Sequence, residues 1–162
     1  MNGRTKLTAA LAVVSVALAV LAGGLYLTRY RADARVDDTV RAEVRQVAGD
    51  GAAALLTYTP ETVAADMYAA QQRLTGSFRD YYGRLTDTVI VPAARDKKIA
   101  AHSTVTGTGL TSVDADSAVV LVFLTQETTS AAQPQRASAT VGARVELQKV
   151  GDDWLISNFD AS

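Results

Sequence analysis

The run Leu7 to Leu27, LTAALAVVSVALAVLAGGLYL, restricts this chain more than any other stretch. It carries no charge, and only Thr8, Ser15 and Tyr26 bring polar atoms into it. At ~1.5 Å per residue, a helix of ~20 residues reaches ~30 Å, the thickness of a bilayer's hydrocarbon core. A helix is also the one single-segment structure that satisfies its own backbone hydrogen bonds there. No second run of this kind follows. The sequence therefore predicts one transmembrane helix over 7–27 after a short tail, 1–6, with the remaining chain on one side of the membrane.

A cleaved signal peptide is the competing reading. Arg4 and Lys6 supply its basic start, and Leu21-Ala22-Gly23 supplies small residues for cleavage. However, the apolar run exceeds the ~7–15 residues that such a peptide needs. It also ends in Tyr26, Arg29, Tyr30 and Arg31, the aromatic and basic collar of a membrane interface. An uncleaved anchor fits better. Cations flank both ends, so charge does not choose the orientation. Ser15, Ala19 and Gly23 fall at every fourth position, where small side chains let a second transmembrane helix approach. In an Ala-rich segment the same spacing also arises by chance.

The chain has 162 residues, with 16 Lys and Arg against 17 Asp and Glu. Arg4, Lys6, Arg29, Arg31 and Arg35 precede Val36, as does Asp33 alone among the acids, so the rest carries a net charge of about −5. An acidic domain has no basic surface for a phosphate backbone, and nucleic acid is not an expected partner. There is no cysteine, which excludes disulfides, thiolate metal sites and a Cys nucleophile.

After the anchor, Val36, Val40, Val44 and Val47 recur at helical spacing among charged residues. This predicts a juxtamembrane amphipathic helix within 28–57, loosened or kinked at Gly49-Asp50-Gly51. Thr59-Pro60-Glu61 reads as a helix start, and Val63, Met67, Ala70 and Leu74 give that helix a buried face. Ser77 opens a third helix, with Phe78, Tyr81, Leu85 and Val89 expected inside and Pro92 closing or kinking it. The period then drops to two. Strands are predicted over Ile99–Leu110, Ala118–Gln126, Arg136–Val150 and Trp154–Phe159, separated by turn-forming Asp, Gly and Pro. Helices first and strands second indicate an α+β domain over 58–162, about three helices packed on a four-stranded antiparallel sheet.

No constellation of catalytic, cofactor-binding or metal-ligating residues emerges. His102 is the only histidine and alternates with Thr104, Thr106 and Thr108 on a polar strand face. Solvation explains it better than a role as base. Asp66 and Asp80 lie near Tyr68, Tyr81 and Tyr82 on the helices, an acid–phenol combination that serves isomerases of similar architecture. Helical phase puts them on solvated faces. Asp114, Asp116, Asp152 and Asp153 have turn chemistry and too few oxygens for calcium. Gly107 and Gly109 mark a bend or bulge, since no phosphate-binding loop surrounds them. More informative is AVVLVFL, Ala118 to Leu124, in which both alternate faces are apolar. Its neighbouring strands have one polar face. One of its stripes is then either covered by the first helix or by the curl of the sheet itself, or left as a contact surface or pocket wall.

Several runs resemble the actinobacterial Mce-associated membrane proteins. They are LLTYTPETVAADMYAAQQRLTGSFRDYYGRL (55–85), VPAARDKK (91–98), AVVLVFLTQETT (118–129) and VELQKVGDDWLISNF (145–159). The resemblance covers nearly the whole chain. It implies a cystatin-like, NTF2-like domain outside the cytoplasmic membrane, similar to the periplasmic domain of type IV secretion assembly factors. It also implies a non-enzymatic accessory role, supporting an Mce lipid-import complex by contact with the transporter's subunits. No catalytic residue and no cofactor come with it. A lipid-binding module with an apolar cone, or a secretion-type scaffold, is the alternative, and homo-oligomerisation is left open.

Overall fold

The computed structural model describes residues 37–161. The predicted tail, the transmembrane run with its Ser15, Ala19, Gly23 face, and the first part of the juxtamembrane stretch lie outside them. Among the described residues no helix is long and apolar enough to cross a membrane.

Four helices precede four strands: α1 (Asp38–Leu55), α2 (Val63–Gln71), α3 (Gly76–Leu85) and α4 (Val91–Asp96), then β1 (Ala100–Val113), β2 (Ser117–Thr129), β3 (Ala137–Val150) and β4 (Asp153–Ala161). The last, α4, is a short continuation of α3, so the architecture is three helical layers' worth of chain on one sheet. The sheet is antiparallel in the order β1-β2-β3-β4, the meander that consecutive hairpins produce.

The helix expected to stand before the domain is part of its core. Val44, Ala48, Ala52 and Leu55 of α1 are buried, and the compact unit begins at Asp37. Gly49-Asp50-Gly51 does not break α1, which is continuous across it. Both glycines are buried against strands. A Cβ on Gly51 would stand 2.4 Å from Ile156 Cδ1, and one on Gly49 would stand 3.5 Å from Thr108 Cγ2. Close helix–sheet contact offsets the weak helix propensity of glycine.

The predicted inner face of α2 is observed: Val63, Met67, Ala70 and Leu74 are all buried. That of α3 is not. Tyr82 and Thr86 face inward, whereas Tyr81 and Val89 are exposed. Phe78 sits three residues from Tyr81 and four from Tyr82, so spacing permits either phase. The buried choice is the tyrosine whose hydroxyl finds partners: Tyr82 Oη donates to the Leu55 carbonyl at 3.1 Å and contacts Met67 Sδ at 3.0 Å. Pro92 does not end the helix. Thr86–Ile90 widens into a π-helical turn, with the Val91 N–H bonded to the Thr86 carbonyl, and α4 continues beyond. A widened turn relieves the clash between a proline ring and the carbonyl four residues earlier.

On β3, Ala143, Val145 and Leu147 point into the core, as the alternation requires. Bulges in β1 between Val105 and Gly107 and between Leu110 and Ser112 bend that edge strand. The β4 edge is held by residues before α3: Ile156 N–H donates to the Arg73 carbonyl at 2.9 Å, and Thr75 N–H to the Ile156 carbonyl at 2.9 Å.

Candidate functional site

Two features stand out, a cleft beside the start of β1 and an apolar stripe on the outer face of the sheet.

The cleft is built by the segment joining α1 to α2. After Leu55 the chain extends, and Tyr58 pairs with Ala101 at the sheet edge through two backbone bonds of 2.8 and 2.9 Å. Thr57 Oγ1 accepts the Ser103 N–H at 3.0 Å, fixing the register. A hydroxyl chain then starts α2. The Thr62 N–H reaches Thr59 Oγ1 at 3.3 Å, the two threonine hydroxyls lie 2.8 Å apart, and Thr62 Oγ1 donates to Asp66 Oδ2 at 2.6 Å. Thr59 thus holds the turn before the helix, rather than capping it directly as the sequence suggests.

Between this segment, α2 and the start of β1 lies a cleft of about 630 Å³. Its charged groups are Asp66 and Arg73 from the helix side and Glu127 and Arg136 from the sheet side, and the His102 imidazole lies beside them. Glu127 and Arg136 form an ion pair of 2.9 Å, with the arginine largely exposed. Tyr58 contributes its ring, and burial pushes its phenol above the usual range. The cleft brings together Asp66 and His102, which the sequence singles out. It does not include Asp80, Tyr68 or Tyr81. Tyr82 is turned into the core, its hydroxyl engaged with Leu55 and Met67. Among the described residues no His, Asp and Glu side chains gather in threes as metal ligands would. Tyr58, Arg73, Glu127 and Arg136 carry no local motif, and only the tertiary pairing of Tyr58 with β1 unites them.

On the sheet, Val120, Val122 and Leu124 are fully buried at 0% exposure, while Leu121 and Phe123 are 41% and 47% exposed. The uncovered stripe is therefore Val119, Leu121 and Phe123; Val122 belongs to the core. The helices cover the other face. Phe123 is paired with Gly107 on one side and Gly142 on the other, and Leu121 with Gly109 and Arg144. Glycines on both sides leave Phe123 prominent, and Leu121 has a glycine on one side. A Cβ on Gly107 would meet the Phe123 ring at 4.0 Å, so the ring leans over that strand. Arg144 and Glu146 pair at one end of the stripe.

No family model matches the chain. The outer membrane protein Rv1973 of Mycobacterium tuberculosis is 39% identical over 145 residues, covering 90% of each chain. The uncharacterized protein Rv1362c of the same organism is 36% identical over 151 residues, covering 91% of this chain and 69% of that one. Among solved structures, an IcmL-like type IV secretion system protein from Legionella pneumophila has a TM-score of 0.63 at 8% identity, covering 75% of this chain and 91% of that one. The VirB8 protein of Agrobacterium tumefaciens has 0.60 at 11% identity, covering 75% and 90%. An NTF2-like protein with a cystatin-like fold from Novosphingobium aromaticivorans has 0.53 at 15% identity, covering 83% and 88%. Identities this low show a shared fold and nothing more.

Proposed function

This chain belongs to the family of the Mycobacterium tuberculosis outer membrane protein Rv1973 and protein Rv1362c, and from that premise we propose that it is a non-enzymatic accessory subunit, held at the cell membrane by 7–27 with its C-terminal domain extracytoplasmic. Its role in this reading is to stabilise an Mce lipid-import complex through protein–protein contacts. The observation that carries the reading is the exposed pair Leu121 and Phe123 on the helix-free face of the sheet. Such a stripe adds little to the stability of a monomer, and apolar side chains exposed side by side suit a contact surface. The Mce assignment draws its support from the motif runs over 55–85, 91–98, 118–129 and 145–159. The name of the Rv1973 relative supports association with the envelope.

A second reading is an assembly scaffold of the type IV secretion kind, and the shared fold with the IcmL-like and VirB8 proteins favours it. A lipid carrier has less support, because the cleft is lined by small and polar side chains, with no Leu, Ile, Val, Phe or Met among them.

The test is crosslinking of the full chain in native membranes, followed by purification and mass spectrometry. Recovery of Mce subunits, reduced by Phe123→Asp, is the expected result. Recovery of secretion components alone would overturn the leading reading in favour of the second.

A further inference from the structure

We propose that the cleft at Tyr58 binds a neutral, polyhydroxylated ligand, a carbohydrate presented either as a free glycan or as the headgroup of a glycolipid.

Volume comes first. At about 630 Å³, the cleft falls within the several-hundred-Å³ range of small-molecule sites. Its aliphatic lining is Ala54, Ala69, Ala70, Ala100 and Ala101, with the Tyr58 ring as the one larger apolar surface. A fatty acyl chain would find few atoms to pack against, and dispersion scales with such contacts. Methyl groups and the Tyr58 ring do suit the shallow C–H face of a sugar, since an aromatic ring offers area without bulk.

Charge comes second. The lining holds two carboxylates, Asp66 and Glu127, and two guanidinium groups, Arg73 and Arg136. Their formal charges cancel. An anionic ligand would bring its charge beside both carboxylates and a cation beside both arginines, each with a desolvation cost that one favourable pair does not offset. A neutral ligand avoids that conflict.

Hydrogen-bonding capacity comes third. Asp66 Oδ2 accepts from Thr62 and Glu127 Oε2 from Arg136, and each carboxylate has a second oxygen with acceptor capacity of its own. Arg73, just beyond the end of α2, adds a guanidinium with five donors to the same lining. The Thr129 hydroxyl and the Tyr58 phenol can each donate and accept, while Thr59, whose proton goes to Thr62, is left as an acceptor. A phenol is neutral, and so a donor, at ordinary pH, and burial of Tyr58 shifts its ionisation further from that range. Interleaved donors and acceptors match adjacent sugar hydroxyls, each of which is itself both. A carboxylate accepting from one hydroxyl while an arginine donates to its neighbour reads a diol.

The test is saturation-transfer NMR on the full chain in micelles of a detergent without a sugar headgroup. The probes are neutral gluco-, manno-, galacto- and arabino-trisaccharides, with trigalacturonate and palmitate as anionic comparators. At least one neutral trisaccharide is expected to receive saturation, with a loss of tenfold or more in affinity on Asp66→Asn and on Arg73→Met. Arg84→Ala, outside the cleft, is expected to leave it unchanged. Circular dichroism shows whether each variant folds, and Tyr58→Phe supplies a conservative check that keeps the ring. A synthetic glycolipid carrying the same trisaccharide, mixed into the micelles, separates the two sources: binding of the glycolipid alone assigns a headgroup, and binding of both assigns the glycan itself. Transfer to palmitate or trigalacturonate in place of every neutral probe, no transfer to any neutral trisaccharide, free or lipid-linked, at millimolar concentration, or transfer indifferent to both cleft variants would overturn the proposal. None of these outcomes bears on whether the Leu121–Phe123 stripe makes assembly contacts.

Discussion

Gly51 of α1 lies so close to Ile156 of β4 that a Cβ added to it would stand 2.4 Å from Ile156 Cδ1. Ile156 is fully buried at 0% exposure, so its terminal methyl has little room to yield. Gly51→Ala gains ~1 kcal/mol of helix propensity, but overpacking at a buried site costs ~1–3 kcal/mol. A net loss of ~1 kcal/mol is expected in denaturant melts. Ile156→Val removes the clashing methyl, and the double variant should be more stable than the sum of the two single effects requires. Gly49 is the internal control. Its added Cβ would meet Thr108 and Val105 at 3.5–3.8 Å, ordinary contact distances. Gly49→Ala should therefore stabilise by about 0.5–1 kcal/mol. Two glycines one residue apart on one helix are expected to respond with opposite signs.

Val122 and Phe123 are adjacent on β2 and face opposite ways, at 0% and 47% exposure. Val122→Asp places an unpaired carboxylate in the core and should cost more than ~3 kcal/mol, enough to abolish cooperative thermal unfolding. Phe123→Asp loses only strand propensity and partial burial, about 1 kcal/mol or less. Its circular dichroism should match the unsubstituted protein while its crosslinks to membrane partners fall. Loss of fold in Phe123→Asp would show the stripe to be structural, removing the main support for an assembly surface.

The β3–β4 hairpin turns through Gly151 and Asp152, between the paired Val150 and Asp153. Gly151 has φ +65°. Positive φ at the first central position of a two-residue hairpin loop suits the right-handed strand twist and favours glycine. Gly151→Ala is expected to lower stability by ~1 kcal/mol, and Gly151→Asn by less, because asparagine tolerates the left-handed region. Thermal melts of the two variants order them directly.

The sheet was readable from β2 and β3 because alternation is a property of neighbouring residues, and Ala143, Val145 and Leu147 keep it through to burial. The inner face of α2 was readable for the same reason. Three features were not. The phase of α3 turns on which of Tyr81 and Tyr82 finds a buried partner, and that partner, Leu55, is 27 positions away. The continuity of α1 through Gly49 and Gly51 depends on Ile156 and Val105, which belong to strands formed much later in the chain. The cleft needs Tyr58 to pair with Ala101 before Asp66, Arg73, Glu127 and Arg136 share a surface. Helical or strand periodicity contains no term for contacts at that separation. The outward stripe is an intermediate case. AVVLVFL shows that one apolar face is surplus, and only the position of α1 decides that it is the face of Leu121 and Phe123.

Tyr82 predicts how the domain responds to alkali. Its ring is buried, and its hydroxyl donates to the Leu55 carbonyl at 3.1 Å and contacts Met67 Sδ at 3.0 Å. Burial raises its pKa well above the usual phenol value of about 10. The folded state thus holds the phenolic proton more tightly than the unfolded state does. By linkage, the stabilisation is complete below the unfolded pKa and is lost as pH rises above ~10. Tyr58, shifted in the same direction by burial, adds to the same window. Stability measured in urea should be flat toward Tyr82 ionisation at neutral pH and fall steeply beyond pH ~10. Tyr82→Phe should lose ~1 kcal/mol at pH 7, since the Leu55 carbonyl loses a donor. It should also show a shallower decline above pH 10, because one of the two shifted phenols is gone. An unchanged alkaline slope in Tyr82→Phe would mean that Tyr82 ionises as easily in the folded domain as in the unfolded chain.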